Sequence, residues 1–218
     1  MDQDADRIEG FSSAVGDLLD AAATTTLEEF PEVLLRVLHR HLEFDGAVVG
    51  HADPLSDGPF SIAVAHVHQR DPSILDDYAL VSANDPVTQS FLRGLLQPLA
   101  VDTEALYCDS APMLSFSRRH RLRHLILSGY PPHDQRRGRW IVLYRSQDRP
   151  FQPDTAQWLG AFCLHLDRAV DINRSPDQHD DAAARTNARG HGFAWEAAQA
   201  RRRRIDRRSK RRLNRYCI

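Results

Sequence analysis

Apolar and polar residues alternate along two neighbouring stretches in the second half of the chain, 122–130 and 140–145. In the first stretch Leu125 and Leu127 point to one side, and the residues between and beside them point to the other. A period of two is typical of a β-strand. The Pro, His, Asp and Gly residues between the stretches break both strands, so the pattern predicts a β-hairpin. Both faces carry apolar residues near the middle, which predicts central strands that helices cover.

A second hairpin is predicted earlier in the chain. Residues 47–52 and 60–68 form apolar stretches, and the segment between them is rich in Pro, Ser, Asp and Gly, as in turns. A further short strand is predicted at 99–102.

The helices are predicted from apolar positions that recur three and four residues apart. They cover 8–23, the segment from the cap Thr26 to Leu42, two segments that begin at Pro72 and Pro86 behind aspartate caps, 112–121, and 151–174. Since the elements occur as helices, a hairpin, helices, a short strand, a helix, a hairpin and a closing helix, the sequence predicts an α+β fold. An antiparallel sheet flanked by helices fits this order best.

Length and charge divide the chain into two parts. Its 218 residues fit one domain of ordinary size and something smaller. Residues 1–174 carry 16 basic and 25 acidic side chains, whereas 175–218 carry 12 and 5, although the formal net charge is only −2. We therefore expect a folded domain over 8–174 and a mostly disordered, Arg-rich tail over 175–218, where the apolar periodicity is lost.

The sequence predicts neither a membrane segment nor a disulfide framework. No apolar stretch approaches the roughly 18 residues that cross a bilayer, and the acidic start lacks the regions of a secretory signal. The expectation is a soluble cytoplasmic protein. Cys108, Cys163 and Cys217 are odd in number and widely spaced. Cys163 is expected to be a thiol in the core.

The end of the folded part carries several residues in a characteristic order. They are Trp140, Tyr144 and Arg145 on the last strand, Phe151 in the following turn, and His165 and Leu166 in the closing helix. Over residues 10–174 the chain resembles the ligand-sensing domain of LuxR-type bacterial transcription regulators, particularly the GAF-like ones. The resemblance implies a GAF- or PAS-like sensor that binds a small molecule between sheet and helices and passes its state to DNA binding.

The side chains expected to line such a pocket are Tyr78, Asp85, Phe116, Trp140 and Tyr144. In members of the family that bind acyl-homoserine lactones, a Trp is followed four residues later by a Tyr and then by an Asp-Pro pair, whose Asp accepts the ligand amide. Tyr78, Asp85 and Pro86 resemble the later parts. However, Ile74 stands where the Trp would be, and the step from Tyr to Asp is shorter. The pattern favours Asp85 as a helix cap and Tyr78 as a core residue.

Three interpretations of the tail remain open. Full-length regulators of this type end in a four-helix DNA-binding domain, and nothing in residues 175–218 matches its pattern. The tail is a basic arm that binds nucleic-acid phosphates, or the out-of-frame product of a sensor severed from its DNA-binding domain, or a solvated segment. The basic arm would make this a nucleic-acid-binding protein, with contacts from Arg201, Arg202, Arg203, Arg204, Arg207, Arg208, Lys210, Arg211 and Arg212.

No pattern in the sequence predicts catalysis, a cofactor or a metal centre. A nucleophile elbow and a Gly-rich phosphate loop are both missing. His66 and His68 lie two residues apart on one predicted strand and face the same side, a geometry that metals use. Without a third ligand in the pattern, an exposed or rim pair is favoured. The apolar stripes of the first and last helices predict a homodimer.

Overall fold

The structure is a computed structural model that describes residues 3–55, 58–92, 98–130, 138–147 and 149–174. The strands in these ranges are β1 (Gly46–Leu55), β2 (Gly58–His68), β3 (Leu99–Asp102), β4 (His124–Tyr130) and β5 (Gly138–Arg145). The helices are α1 (Gln3–Thr24), α2 (Phe30–His41), α3 (Ser73–Val81), α4 (Pro86–Leu92), α5 (Thr103–Leu106), α6 (Ala111–Arg119), α7 (Pro153–Cys163) and α8 (Leu166–Asn173). A 3₁₀ turn, Ser82–Asn84, joins α3 to α4.

The five strands form one antiparallel sheet in the order β2-β1-β5-β4-β3. Both predicted hairpins are confirmed: Ala47 pairs with His68, and Leu127 pairs with Val142. Strands β4 and β5 have neighbours on both sides, so they are central, as predicted. The predicted α+β class, an open antiparallel sheet flanked by helices, is therefore confirmed.

The alternation along the central strands separates two apolar layers. On one face of the sheet, Ile126, Ile141 and Leu143 are fully buried in a cluster with residues of α1, α2, α7 and α8. On the other face, Leu125 and Leu127 belong to a second cluster with residues of α3, α4 and α6. We call the second cluster the α3–α6 layer. Among the described helices, none combines the length and the apolar character that crossing a bilayer requires.

The first and last helices pack against each other within the chain. Asn173 of α8 is fully buried, and its side-chain N–H groups donate to the carbonyl oxygens of Ala22 at 3.0 Å and Thr25 at 2.8 Å. These bonds satisfy carbonyls that the end of α1 leaves without helical partners. Phe11 of α1 meets Trp158 of α7 edge to face at 5.5 Å. Much of the apolar stripe that predicts a dimer is thus buried inside one chain.

Two helix boundaries differ from the sequence prediction. Thr26 and Glu29 exchange hydrogen bonds, with the Glu29 N–H donating to the Thr26 hydroxyl at 3.3 Å, and α2 begins only after this turn. The predicted closing helix is two helices, because the N–H groups of Leu164 and His165 bond to carbonyls three residues back. Cys163, at the end of α7, is buried as predicted.

Candidate ligand-binding site

Asp85 lies where the chain leaves the 3₁₀ turn and enters α4. Its backbone is extended, and its Oδ1 accepts a hydrogen bond from the Val87 N–H at 2.9 Å. This is the bond of an N-cap, as the sequence predicts. The side chain is only 5% exposed. The carboxylate therefore points into the α3–α6 layer rather than into solvent.

Three hydroxyl groups converge on the Asp85 carboxylate. Tyr78 donates to Oδ2 at 2.6 Å, Thr88 donates to the same oxygen at 2.9 Å, and Tyr107 donates to Oδ1 at 3.3 Å. Burial raises the pKa of Tyr78 well above its usual value, and the charge of Asp85 raises it further. The pKa of Tyr107 is raised by the same two causes. Both phenols therefore keep their protons and remain donors at neutral pH.

Aromatic side chains surround this polar centre. The Phe116 ring lies 5.6 Å from the Tyr78 ring. Tyr144 is buried and Trp140 is partly buried, and both point from β5 into the α3–α6 layer. Trp140 lies so close to β1 that a Cβ at Gly50 would be 2.8 Å from the indole Cε2. All five predicted pocket residues are thus in one layer: four belong to its apolar cluster, and Asp85 is bonded to Tyr78.

Sequence reasoning missed two members of the polar centre. Thr88 follows Asp85 by three residues, so a helix that begins at Pro86 places its hydroxyl beside the cap. That spacing could have identified it. Tyr107 comes from the end of α5, a helix of four residues. So short an element has no apolar periodicity, and the sequence carries no signal for it.

His66 and His68 face the same side of the edge strand β2, as predicted. Glu32 of α2 joins them: its Oε2 is 2.8 Å from His66 Nε2, and its Oε1 is 3.0 Å from His68 Nδ1. His68 is only 5% exposed. The predicted exposed or rim position is wrong for His68, because α2 packs over this end of β2. No three potential ligands within the described ranges are arranged to hold a metal ion.

A cavity of about 440 Å³ opens between α2 and the end of β2. It is lined by Val33, Arg36, Val37, His39, Arg40, His68 and Gln69. None of the five predicted pocket residues contributes to it. It is therefore a separate feature from the Asp85 centre.

Glu32 makes the stability of this region depend on pH. Burial alone would raise the pKa of Glu32, but hydrogen bonds from His66 and His68 and their charges outweigh it and lower the pKa. A carboxyl group with a lowered folded-state pKa stabilises the fold above its unfolded pKa, and this contribution is lost as the pH falls through the folded pKa. We expect Glu32→Gln to lower the free energy of unfolding at neutral pH, by an amount that shrinks below pH 4.5.

Urea unfolding across this pH range measures the difference between the two proteins. Glu28→Gln, at an exposed position beside α2, is the matched control and should change the free energy of unfolding by no more than about 0.5 kcal/mol. A stability difference between wild type and Glu32→Gln that stays constant from neutral to acidic pH would contradict the role of Glu32.

The predicted nucleic-acid contacts fall in the tail. Arg201, Arg202, Arg203, Arg204, Arg207, Arg208, Lys210, Arg211 and Arg212 lie outside the described residues. The basic arm therefore stays a prediction.

Sequence comparisons find no relative of this chain: no protein-family model and no curated protein matches it. Solved structures do match. The solution structure of Escherichia coli SdiA1-171 has a TM-score of 0.53 at 18% identity, with 81% of this chain and 99% of that chain covered. SdiA in complex with octanoyl-rac-glycerol has a TM-score of 0.55 at 19% identity, with 76% and 70% covered.

A third match is the N-acylhomoserine-lactone-dependent LuxR-family transcription factor CepR2 from Burkholderia cenocepacia. Its TM-score is 0.50 at 16% identity, with 76% of this chain and 99% of that chain covered. At these identities the likeness shows the fold. The fold is that of LuxR-family ligand-binding domains, as the resemblance in the sequence implies.

Proposed function

We propose that this chain, whose fold is that of LuxR-family ligand-binding domains, is the sensor domain of a LuxR-type transcription regulator. The observation that supports this most is the buried Asp85 carboxylate, which accepts from Tyr78 and Tyr107 inside an apolar layer. Burying a carboxyl group among apolar side chains costs free energy. Such groups are frequent at sites where a ligand or a reaction uses them.

The ligand that suits this layer is a small amphiphile with an acyl chain and a polar head. The apolar side chains of the α3–α6 layer can cover an acyl chain. An N–H or O–H group of the head can donate to Asp85 in place of Tyr107, whose hydrogen bond to Oδ1 is, at 3.3 Å, the longest of the four that the carboxylate accepts. Two proteins of the same fold are associated with such molecules: SdiA is in complex with octanoyl-rac-glycerol, and CepR2 is dependent on N-acylhomoserine lactone. These ligands are the first probes for this chain.

Calorimetric titration with N-octanoyl-homoserine lactone and octanoyl glycerol tests the proposal. Asp85→Asn keeps one carbonyl oxygen but removes the charge. Hydrogen bonds to charged groups contribute about 1 kcal/mol more than neutral ones, so the affinity should fall by about fivefold. Leu80→Ala, at a position of α3 that is 67% exposed, is the control and should bind as wild type does. Binding that is unchanged in Asp85→Asn would contradict the proposed site.

The output of the sensor is proposed to be control of DNA binding, and the tail admits a second function. Ten basic residues against one acidic residue in 199–218 favour a basic arm that binds nucleic acid. In the full chain, glutamine at positions 201–204 should then weaken binding to a DNA duplex and flatten its salt dependence. Unchanged binding would exclude the arm.

The coding DNA beyond codon 170, read in its other frames, tests the out-of-frame interpretation of the tail. That interpretation requires a helix-turn-helix pattern in one of those frames.

A cytoplasmic homodimer completes the proposal. Ile8 of α1 is 67% exposed and Leu164, between α7 and α8, is 77% exposed. Both are apolar side chains that face the solvent from the helical layer. Contact between copies would cover them. Light scattering should give a dimer mass for the wild type and a monomer mass for the variant with aspartate at both positions. A wild type that stays monomeric at high concentration would exclude the dimer.

A further inference from the structure

Arg70, which follows β2, lies across the start of β1. A Cβ at Gly46 would be 2.5 Å from both Cγ and Nε of Arg70, closer than real Cβ contacts. The glycine therefore allows the arginine side chain to lie on the sheet. Its guanidinium group is held away from the solvent rather than extended into it.

The guanidinium group has donors without acceptors. Its Nη1 donates to the backbone oxygen of His120 at 3.3 Å. Its Nε and Nη2 are buried and have no hydrogen-bond partner among the described residues. The nearby Asp45 accepts at Oδ2 from the backbone N–H of Ser146 at 2.6 Å and from its hydroxyl at 2.5 Å, and no hydrogen bond joins its carboxylate to Nε or Nη2. Buried donors of a charged group that lack acceptors are costly and rare.

These free donors lie beside the proposed ligand site. Gly46, which Arg70 covers, pairs with Tyr144 across the sheet, and Tyr144 points into the α3–α6 layer. Burial and the charge of Asp85 raise the pKa of Tyr144, whereas the charge of Arg70 lowers it. The Tyr144 hydroxyl thus lies close enough to both the Asp85 carboxylate and the Arg70 guanidinium cation for their charges to act on it. The layer offers an acceptor at Asp85 once Tyr107 is displaced, and at Arg70 a cation with two donors that lack partners among the described residues.

We infer that Arg70 binds a carboxylate of the ligand through Nε and Nη2, so that the ligand class is an N-acyl amino acid rather than a neutral lactone. Nε and Nη2 lie on one edge of the guanidinium plane and match the two oxygens of a carboxylate. The amide N–H of the same molecule donates to Asp85 Oδ1 in place of the Tyr107 hydroxyl, and its acyl chain lies in the apolar layer. This inference rests on the proposed function, because it assigns the second polar contact of the same site.

The test compares two molecules that differ in the free carboxylate. N-octanoyl-homoserine is the open form, with a free carboxylate and a hydroxyl group. In N-octanoyl-homoserine lactone these two groups are joined in a neutral ring. Calorimetric titration of the full chain should give a dissociation constant about ten- to hundredfold lower for the open acid, as expected for hydrogen bonds between charged groups.

Three variants assign the preference to Arg70. Arg70→Gln should bind both molecules with similar, weaker affinity, and Arg70→Lys should restore only part of the preference, since it keeps the charge but loses the planar pair of donors. Arg36→Gln is the control, because its side chain is 64% exposed on α2. It should keep the wild-type preference. A melting curve for each variant shows that it is folded.

The outcomes separate this inference from the proposed function. A wild type that binds the lactone at least as tightly as the open acid would overturn the carboxylate assignment and leave the sensor intact. A preference that persists in Arg70→Gln would overturn the role of Arg70. If N-octanoyl-homoserine, its lactone and octanoyl glycerol all fail to bind the wild type, both the inference and the proposed function are wrong.

Discussion

Replacing Phe162 by alanine should lower the free energy of unfolding by about 3–5 kcal/mol. Phe162 is fully buried between the sheet and the helical layer, and its ring stacks on Trp158 at a centroid distance of 5.4 Å. Removing the ring takes away its apolar contacts and leaves a cavity that the sheet cannot close. For a domain of this size the melting temperature should fall by roughly 10 °C.

Thermal and urea unfolding measure the effect. Leu80→Ala, on α3, is the control: its side chain is 67% exposed, so the change should stay within about 0.5 kcal/mol. Equal effects at the two positions would show that α7 does not pack on the sheet as described. Because Phe162 lies on the face opposite Asp85, the folded variant should still bind ligand.

Replacing Gly129 by alanine should cost roughly 2–5 kcal/mol, from backbone strain and overpacking together. Gly129 has a φ of +151°, a region that side-chain-bearing residues rarely adopt. A Cβ there would collide with the backbone oxygen of Arg139 and lie 2.7 Å from the Cα of Trp140. Both atoms belong to the paired strand, so the β4–β5 ladder must open at this point.

The same change should impair the proposed site, because Gly129 pairs with Trp140. Unfolding curves measure the stability, and acyl-ligand titration measures the site. Gly16→Ala, in α1, is the matched control: its Cβ would meet nothing within 4 Å. Since alanine favours a helix, this control should gain up to about 1 kcal/mol. A Gly129→Ala protein as stable as wild type would contradict the strand register.

The parts of the fold that follow from local periodicity could be predicted from the sequence. Leu125 and Leu127 lie on one face of β4 and Ile126 on the other, as their alternation indicates. The break between α7 and α8 could not be predicted, because neither glycine nor proline marks it and the apolar stripe continues across it. The pairing of β5 with β1 joins segments far apart in the chain, and a local pattern carries no information on such contacts.

The candidate site was predictable where a residue also has a local role. Asp85 was found because a helix cap has a sequence pattern, and its burial under Tyr78 became visible only in the structure. Arg70 had no such pattern. Its significance depends on Gly46 and on the absence of acceptors within the described residues, and both are properties of the three-dimensional arrangement.

The central claim is that an acyl ligand binds in the α3–α6 layer, and two tryptophans test it within one spectrum. Trp140 lies in that layer, and Trp158 lies in the opposite helical layer against Phe162. The full chain has three indole N–H resonances, and Trp195→Phe assigns the third. Titration of the ¹⁵N-labelled full chain with N-octanoyl-homoserine should shift the Trp140 resonance and leave that of Trp158 in place. A shift of Trp158 alone, or no shift of either resonance with the acid or its lactone, would contradict the account.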